Sequence, residues 1–364
     1  MSKAPPTLDD LRRYAVARTL FKPTTLVRAI QKLGFVQADP VRAPARAQDL
    51  TLRHRVAGYR AGDLERRYPR LAVEEDCLVN YGFLPRRHLA LMHPRTPKKD
   101  WDEATRAKAE AMLAFIRERG PTHPRVVQAA FAHGRVTNYW GGSSLATTHL
   151  LDGMHYRGLL RVARRENGIR IYQAVDHPPT EDDPVARAQR AADLVELVIR
   201  KYAPLPKPSL GYLVSLLGYG APHLRTEARA AVARASEHLA SATIDGVTWT
   251  WPADENPRSS RWRPDDAVRF LAPFDPIVWD RRRFELLWGW TYRFEAYTPA
   301  ARRRLGYYAL PLLFGDRVIG WANAQVNAGQ LEIDTGFVGK PMATSVFRAR
   351  FYDERARMAE FLGL

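Results

Sequence analysis

Behind Thr7, the apolar residues Leu8, Leu11, Tyr14 and Ala15 fall three and four apart, the spacing of one helix face, with Thr7 as the capping residue. Thr24 or Thr25 stands in the same relation to Leu26, Ala29, Ile30 and Leu33, and Gly34 sits just past that helix's end. Phe35 to Asp39 reads as a short extended run, which Pro40 ends. Residues 41–95 carry a weaker pattern, with helical stretches at Ala47 to Arg55 and Gly62 to Arg67.

A clearer succession follows. The spacing predicts helices over Glu103 to Arg119, Arg125 to Ala132 and Ser143 to Arg157, broken by Gly120-Pro121 and Gly141-Gly142. Strands Leu159 to Ala163 and Ile169 to Val175 flank Glu166-Asn167-Gly168, a hairpin turn signal. Asn138, Tyr139 and Trp140 read as braces of this segment's core. Three helices and a two-stranded ribbon make the winged-helix pattern. The acidic, proline-rich stretch 176–184 reads as a linker, and the pattern recurs over 184–252. There the helices are Val185 to Tyr202, Ser209 to Leu217 and His223 to Ala240, with a strand pair around Gly246 and through Trp249 to Trp251. From Ala267 the pattern alternates instead: Tyr292 to Tyr297, Tyr307 to Phe314, Val318 to Val326 and Gln330 to Asp334, with a Gly315-Asp316-Arg317 turn and a closing helix over 343–362. The expected fold is α+β: three tandem winged-helix units at 1–100, 101–180 and 181–265, then a small β-barrel with a terminal helix at 266–364. The repetition is one of pattern, not of residue identity.

Charge narrows the partner. Among 364 residues, 56 Lys+Arg outnumber 39 Asp+Glu for a net charge of +17. A folded chain so rich in arginine calls for a polyanion, and helix-turn-helix patterning favours double-stranded DNA. With 46% hydrophobic residues the chain is no disordered basic tail. No apolar run reaches the ~20 residues of a membrane helix, and the N-terminus lacks a secretory h-region. Cys77 alone supports neither a disulfide within the chain nor a cysteine zinc site. The expectation is a soluble, cytoplasmic, nucleoid-associated monomer without cofactor or metal.

The sharpest candidate for chemistry is Gln37-Ala38-Asp39. In an extended run Gln37 and Asp39 leave the same face, roughly 7 Å apart, with Val36 and Ala38 turned into the domain. An amide beside a carboxylate can position one water and stabilise a cationic sugar centre, which glycosidic hydrolysis through an oxocarbenium-like state requires. An Asp at a turn and a Gln on a solvated strand fit the same spacing. Arginine clusters suit phosphate oxygens: Arg42, Arg46, Arg53 and Arg55 (with His54), Arg125, Arg157, Arg161, Arg164 and Arg165, and Arg281, Arg282, Arg283, Arg302, Arg303 and Arg304. Asp275 in Pro-Phe-Asp-Pro reads as a turn or cap. His54, His88, His93 and His149 form no metal-binding pattern, and no phosphate-binding glycine loop is present.

Three stretches resemble the AlkZ/YcaQ-type DNA glycosylases. They are LGFVQADPVRAPARAQDLTLRHRV at 33–56, the region from Glu74-Glu75-Asp76 to Pro85, and LAPFDPIVWDRRR…YRFEAYTPAARRRLGYYALPLLFGDRVIGWA at 271–322. The resemblance implies three winged helices forming a concave basic DNA surface, with Gln37 and Asp39 as the catalytic Gln-x-Asp pair. Within the arginine clusters, Arg42, Arg46, Arg53, Arg55, Arg281, Arg282, Arg303 and Arg304 are the expected DNA contacts. Two departures stand out: CLVNYGFLP around Asn80 lacks the family's Trp and His, and Gly320-Trp321-Ala322-Asn323 replaces Gly-Arg-Val-Asp. The expected activity is monofunctional excision of N7-alkylated purines, with interstrand-crosslink unhooking as an extension. The rival is a non-catalytic winged-helix DNA-binding protein.

Overall fold

The Thr7 hydroxyl accepts the Asp10 amide and the Asp10 carboxylate accepts the Thr7 amide, so a capping box opens the first helix, α1 (Leu8–Thr19). Thr25, not Thr24, caps α2 (Leu26–Leu33), and Gly34 ends it at φ 68°. The computed structural model describes residues 5–137, 143–177 and 181–364. Asn138, Tyr139 and Trp140 lie outside them, as do residues 178–180 of the linker. The further helices are α3 (Ala47–Leu52), α4 (Asp63–Arg67), α5 (Leu89–Met92), α6 (Glu103–Arg119), α7 (Pro124–Phe131), α8 (Ala146–Tyr156), α9 (Pro184–Tyr202), α10 (Lys207–Gly220), α11 (Arg225–His238), α12 (Arg281–Trp288) and α13 (Ser345–Leu362). The strands are β1 (Val36–Gln37), β2 (Val73–Cys77), β3 (Tyr81–Pro85), β4 (Arg135–Thr137), β5 (Ser143–Leu145), β6 (Leu160–Glu166), β7 (Ile169–Ala174), β8 (Leu205–Pro206), β9 (Ala240–Ile244), β10 (Val247–Trp251), β11 (Val268–Phe270), β12 (Leu310–Phe314), β13 (Arg317–Asn327) and β14 (Gln330–Phe337). The fold is mixed α and β. No helix among the described residues is long and apolar enough to cross a membrane.

Contacts divide the chain into two units, one of residues 1–64, 195–213 and 232–364, the other of 65–194 and 214–231. In the first, α1 faces two clusters. Leu11, Tyr14 and Ala15 pack with Ala203, Trp249, Trp251 and Leu287, while Val16 joins Leu271, Ile277, Val278, Phe284, Tyr292 and Leu313. Strands β8, β10 and β9 form one antiparallel sheet, and β11-β12-β13-β14 form another. The second is an open sheet with two edges, so it is a half-barrel instead of a closed barrel. Phe347 of α13 lies 5.7 Å from Phe314 and 6.0 Å from Phe337, which covers this sheet with an aromatic layer. Tyr292 to Tyr297, expected as a strand, is irregular, while β11 supplies the fourth strand.

The second unit carries the clearest helix–ribbon succession: α6, α7, α8, then β6 and β7. Asn167 and Gly168 take φ of 50° and 84°, the mirror-image turn that matches strand twist. Residues 143–145 are strand β5 and the helix starts only at Ala146, because their backbone pairs with β4. The hairpin β2–β3 went unread in the sequence. Its row Glu74, Glu75 and Asp76 is buried, and each carboxylate meets arginine: Glu74 meets Arg86 and Arg161, Glu75 meets Arg165, and Asp76 meets Arg95 at 3.1 Å. Burial alone pushes Asp76 up, but Arg95 and His93, 2.6 Å away, bring it well below its usual range. The Trp- and His-lacking segment is the hairpin turn together with β3, the turn closed by Leu78 N–H to the Asn80 carbonyl at 2.9 Å.

Candidate active site

Gln37 ends β1 and Asp39 lies just beyond it. The strand is too short to alternate through Asp39, and Gln37 does not face solvent: it is 7% exposed, against 1% for Val36. Its amide is fixed. Trp279 Nε1 meets Gln37 Oε1 at 2.5 Å, and since indole nitrogen only donates, the Gln37 oxygen must be the acceptor. The NH2 is the donor end of that side chain, turned away from the indole nitrogen. Trp279 in turn packs against Tyr202 at the end of α9, with ring centroids 5.7 Å apart.

Asp39 is half-buried. Its Oδ1 accepts the Val41 amide at 2.9 Å, and its own N–H donates to Oε1 of Gln48 at 3.3 Å. Gln48 is itself buried on α3, so that helix holds the backbone on which the carboxylate rides. Burial raises the Asp39 pKa, and the Val41 bond offsets this only in part. The carboxylate's field reaches two phenols, Tyr297 and Tyr308. In each, desolvation is the first cause of a raised pKa, nearly full at Tyr308 and only partial at the exposed Tyr297, and Asp39 is the second. Tyr308 is 3% exposed and its hydroxyl has no partner among the described residues.

The expected DNA-binding arginines separate by burial. Arg53 and Arg55 are corrections, because both point inward. Arg55 is fully buried; it grips Asp275 through two bonds of 2.8 and 3.0 Å and donates to the carbonyls of Thr19 and Thr51. Arg53, its side chain 3% exposed, pairs with buried Glu354. A guanidinium so enclosed cannot reach a phosphate. Arg281 is half-buried and lies 4.5 Å over the Tyr292 ring, and Arg303 donates to the Thr298 carbonyl at 2.8 Å and lies 5.0 Å over Tyr307. Arg283 is also internal. Arg46 is half-buried at the start of α3, while Arg42, Arg282 and Arg304 are exposed. Asp275 is structural as expected, since it anchors Arg55 and accepts the Ile277 amide at 3.0 Å.

A family model described as DNA glycosylase AlkZ-like matches residues 30–361. The chain belongs to that family. The AlkZ-like assignment covers both the Gln37–Asp39 segment and the 271–322 stretch that supplies Trp279, Tyr297 and Tyr308. The solved structure of Streptomyces sahachiroi DNA glycosylase AlkZ is similar over 99% of this chain and 98% of that one, with a TM-score of 0.64 at 13% identity. At that identity the likeness speaks for the fold. Sequence reasoning passed over Trp279, Gln48 and the tyrosines as site components. The signal was present in the C-terminal signature, but no spacing rule ties a tryptophan to a glutamine 242 positions away.

Proposed function

We propose that this AlkZ-like chain is a monofunctional N-glycosylase for N7-alkylated purines in duplex DNA. The observation that carries the reading is the Gln37 amide, its oxygen held by Trp279 so that its NH2 remains a donor, two positions before a half-buried carboxylate. An N7-alkylated purine already bears positive charge, so its departure needs little protonation. What remains is to stabilise charge developing on the deoxyribose and to deliver water. Asp39, ionised, faces the oxocarbenium-like centre and takes a proton from the water. The Gln37 NH2 donates to one lone pair of that water, leaving the other for attack at C1′. No amine nucleophile enters, so no strand cleavage by β-elimination is expected.

Arg42, Arg282 and Arg304 supply exposed charge for phosphates, and the α6–β7 and α9–β10 segments are read as winged helices that also contact DNA. A carboxylate that is only half-buried suits a lesion too bulky for a closed pocket, which extends the reading to unhooking interstrand crosslinks.

The test is incubation of duplex containing N7-methylguanine, then alkali and a denaturing gel. Strand cleavage that depends on Gln37 and Asp39 supports the reading. Retarded but intact DNA sinks it in favour of a non-catalytic DNA-binding protein.

A further inference from the structure

Tyr297 is 79% exposed although it belongs to a loop braced on every side. Buried Glu295 accepts the amides of Arg304 at 2.9 Å and Leu305 at 2.8 Å, closing the loop on itself. The Thr298 amide returns to the Glu295 carbonyl at 2.9 Å, Arg303 donates to the Thr298 carbonyl, and Asn323 donates to the Leu305 carbonyl at 2.8 Å. Gly306, at φ 118°, lies against Asn323 so closely that a Cβ there would sit 2.3 Å from its side-chain oxygen. The residue that departs from the family pattern at position 323 is thus a clamp on this loop.

The rings form a continuous row. Phe294 meets Phe274 at 5.1 Å, Tyr308 at 5.3 Å and Tyr297 at 6.0 Å, each edge to face. Tyr307, 45% exposed, lies beside them under Arg303. Phe274 adjoins Asp275, so the same turn that fixes Arg55 supports the row. An exposed tyrosine on a rigid loop, within the field of a half-buried carboxylate and flanked by arginines, has the makings of a stacking surface for a nucleobase. Ring faces are negative and attract cations, and the purine assumed under the proposed function is a flat cation.

We propose that the Tyr297 ring stacks on the lesion base while Asp39 faces its sugar, and that this contact favours cationic over neutral bases. The inference rests on the glycosylase reading and deepens it to the residue that recognises the leaving group. The hydroxyl is not needed for stacking, so the ring alone should suffice.

Two measurements test it on the full chain, with thermal unfolding as a check that the variants fold. In single-turnover excision, Tyr297→Leu should slow release of N7-methylguanine about ten- to a hundredfold, slow release of neutral hypoxanthine less, and leave retention of undamaged duplex unchanged. Tyr297→Phe should restore the wild-type rate to within about threefold. In the second, a duplex with 2-aminopurine at the lesion position should lose fluorescence on binding wild type and Tyr297→Phe, and keep it with Tyr297→Leu. Equal quenching by all three, or equal loss of undamaged-duplex affinity in Tyr297→Leu, overturns the inference. Should wild type excise nothing while the quenching pattern holds, the stacking surface stands and the glycosylase reading fails.

Discussion

Trp279 and Gln37 are joined by a hydrogen bond from indole nitrogen to amide oxygen across 242 positions of chain. It decides which end of the amide is left to donate, because an amide without that partner can present either end. Trp279→Phe keeps the ring's bulk and removes the donor. Excision of N7-methylguanine should fall about tenfold or more, the scale of a misplaced catalytic group, while duplex retention stays at the wild-type level. An unchanged single-turnover rate would show that the amide is oriented by other means.

Asp39 must be ionised to work, and burial raises its pKa. The acidic limb of the excision rate should therefore lie above the ordinary aspartate value of 3.8. Asp39→Asn should remove that limb along with about two to three orders of magnitude in rate. The stability effect has the opposite sense. A carboxylate whose folded pKa is raised favours folding while protonated and loses that advantage as pH rises through the folded value. At neutral pH, then, ionised Asp39 opposes folding, and Asp39→Asn should unfold at a higher temperature than wild type. The gain should vanish below about pH 4, where both states are protonated. A gain that persists there would contradict the assignment.

The Arg55–Asp275 pair is wholly enclosed, with the arginine's other donors on the Thr19 and Thr51 carbonyls. Removing one partner leaves a buried charge without compensation, at a cost of about 3–5 kcal/mol. Arg55→Met should lower the urea midpoint accordingly, and Asp275→Asn should do much the same. If Arg55 served DNA instead, Arg55→Met would weaken binding and leave the midpoint in place.

Lys201 is buried, its amine donating to the carbonyls of Leu33 and Phe35. Burial, with Arg55 nearby, pushes its pKa down to about 7 from 10.5. Between those values the unfolded chain holds a proton that the folded chain does not, so stability rises with pH in that window. The stability of wild type relative to Lys201→Met should increase from about pH 7 to pH 10, read from urea unfolding. A flat difference would mean that the amine is charged in the fold throughout.

Local periodicity carried much of the fold. The Thr7 capping box, the Gly34 stop, the Glu103–Arg119 helix and the Asn167-Gly168 turn depend on neighbours within a few residues, so their physics is written in the chain. The hairpin at 73–85 was illegible for the converse reason. Glu74, Glu75 and Asp76 look like a solvated run until arginines as far as 90 positions away neutralise them inside the protein. Arg53 and Arg55 misled in the same way, since their composition suits phosphate and only burial assigns them to Glu354 and Asp275.

At the site the division is sharper. Family likeness singled out Gln37 and Asp39, while the extended run expected from Phe35 to Asp39 is a strand only at Val36–Gln37. The amide's orientation by Trp279, the backbone's support by Gln48 and the tyrosine row within Asp39's field arise only once α3, the end of α9 and the loop before β12 come together. Sequence by itself determined which side chains were on hand and how each local segment would bend. Tertiary structure decided which charges were spent inside and which groups faced one another, because burial and hydrogen-bond direction are properties of the packed neighbourhood and not of the residue.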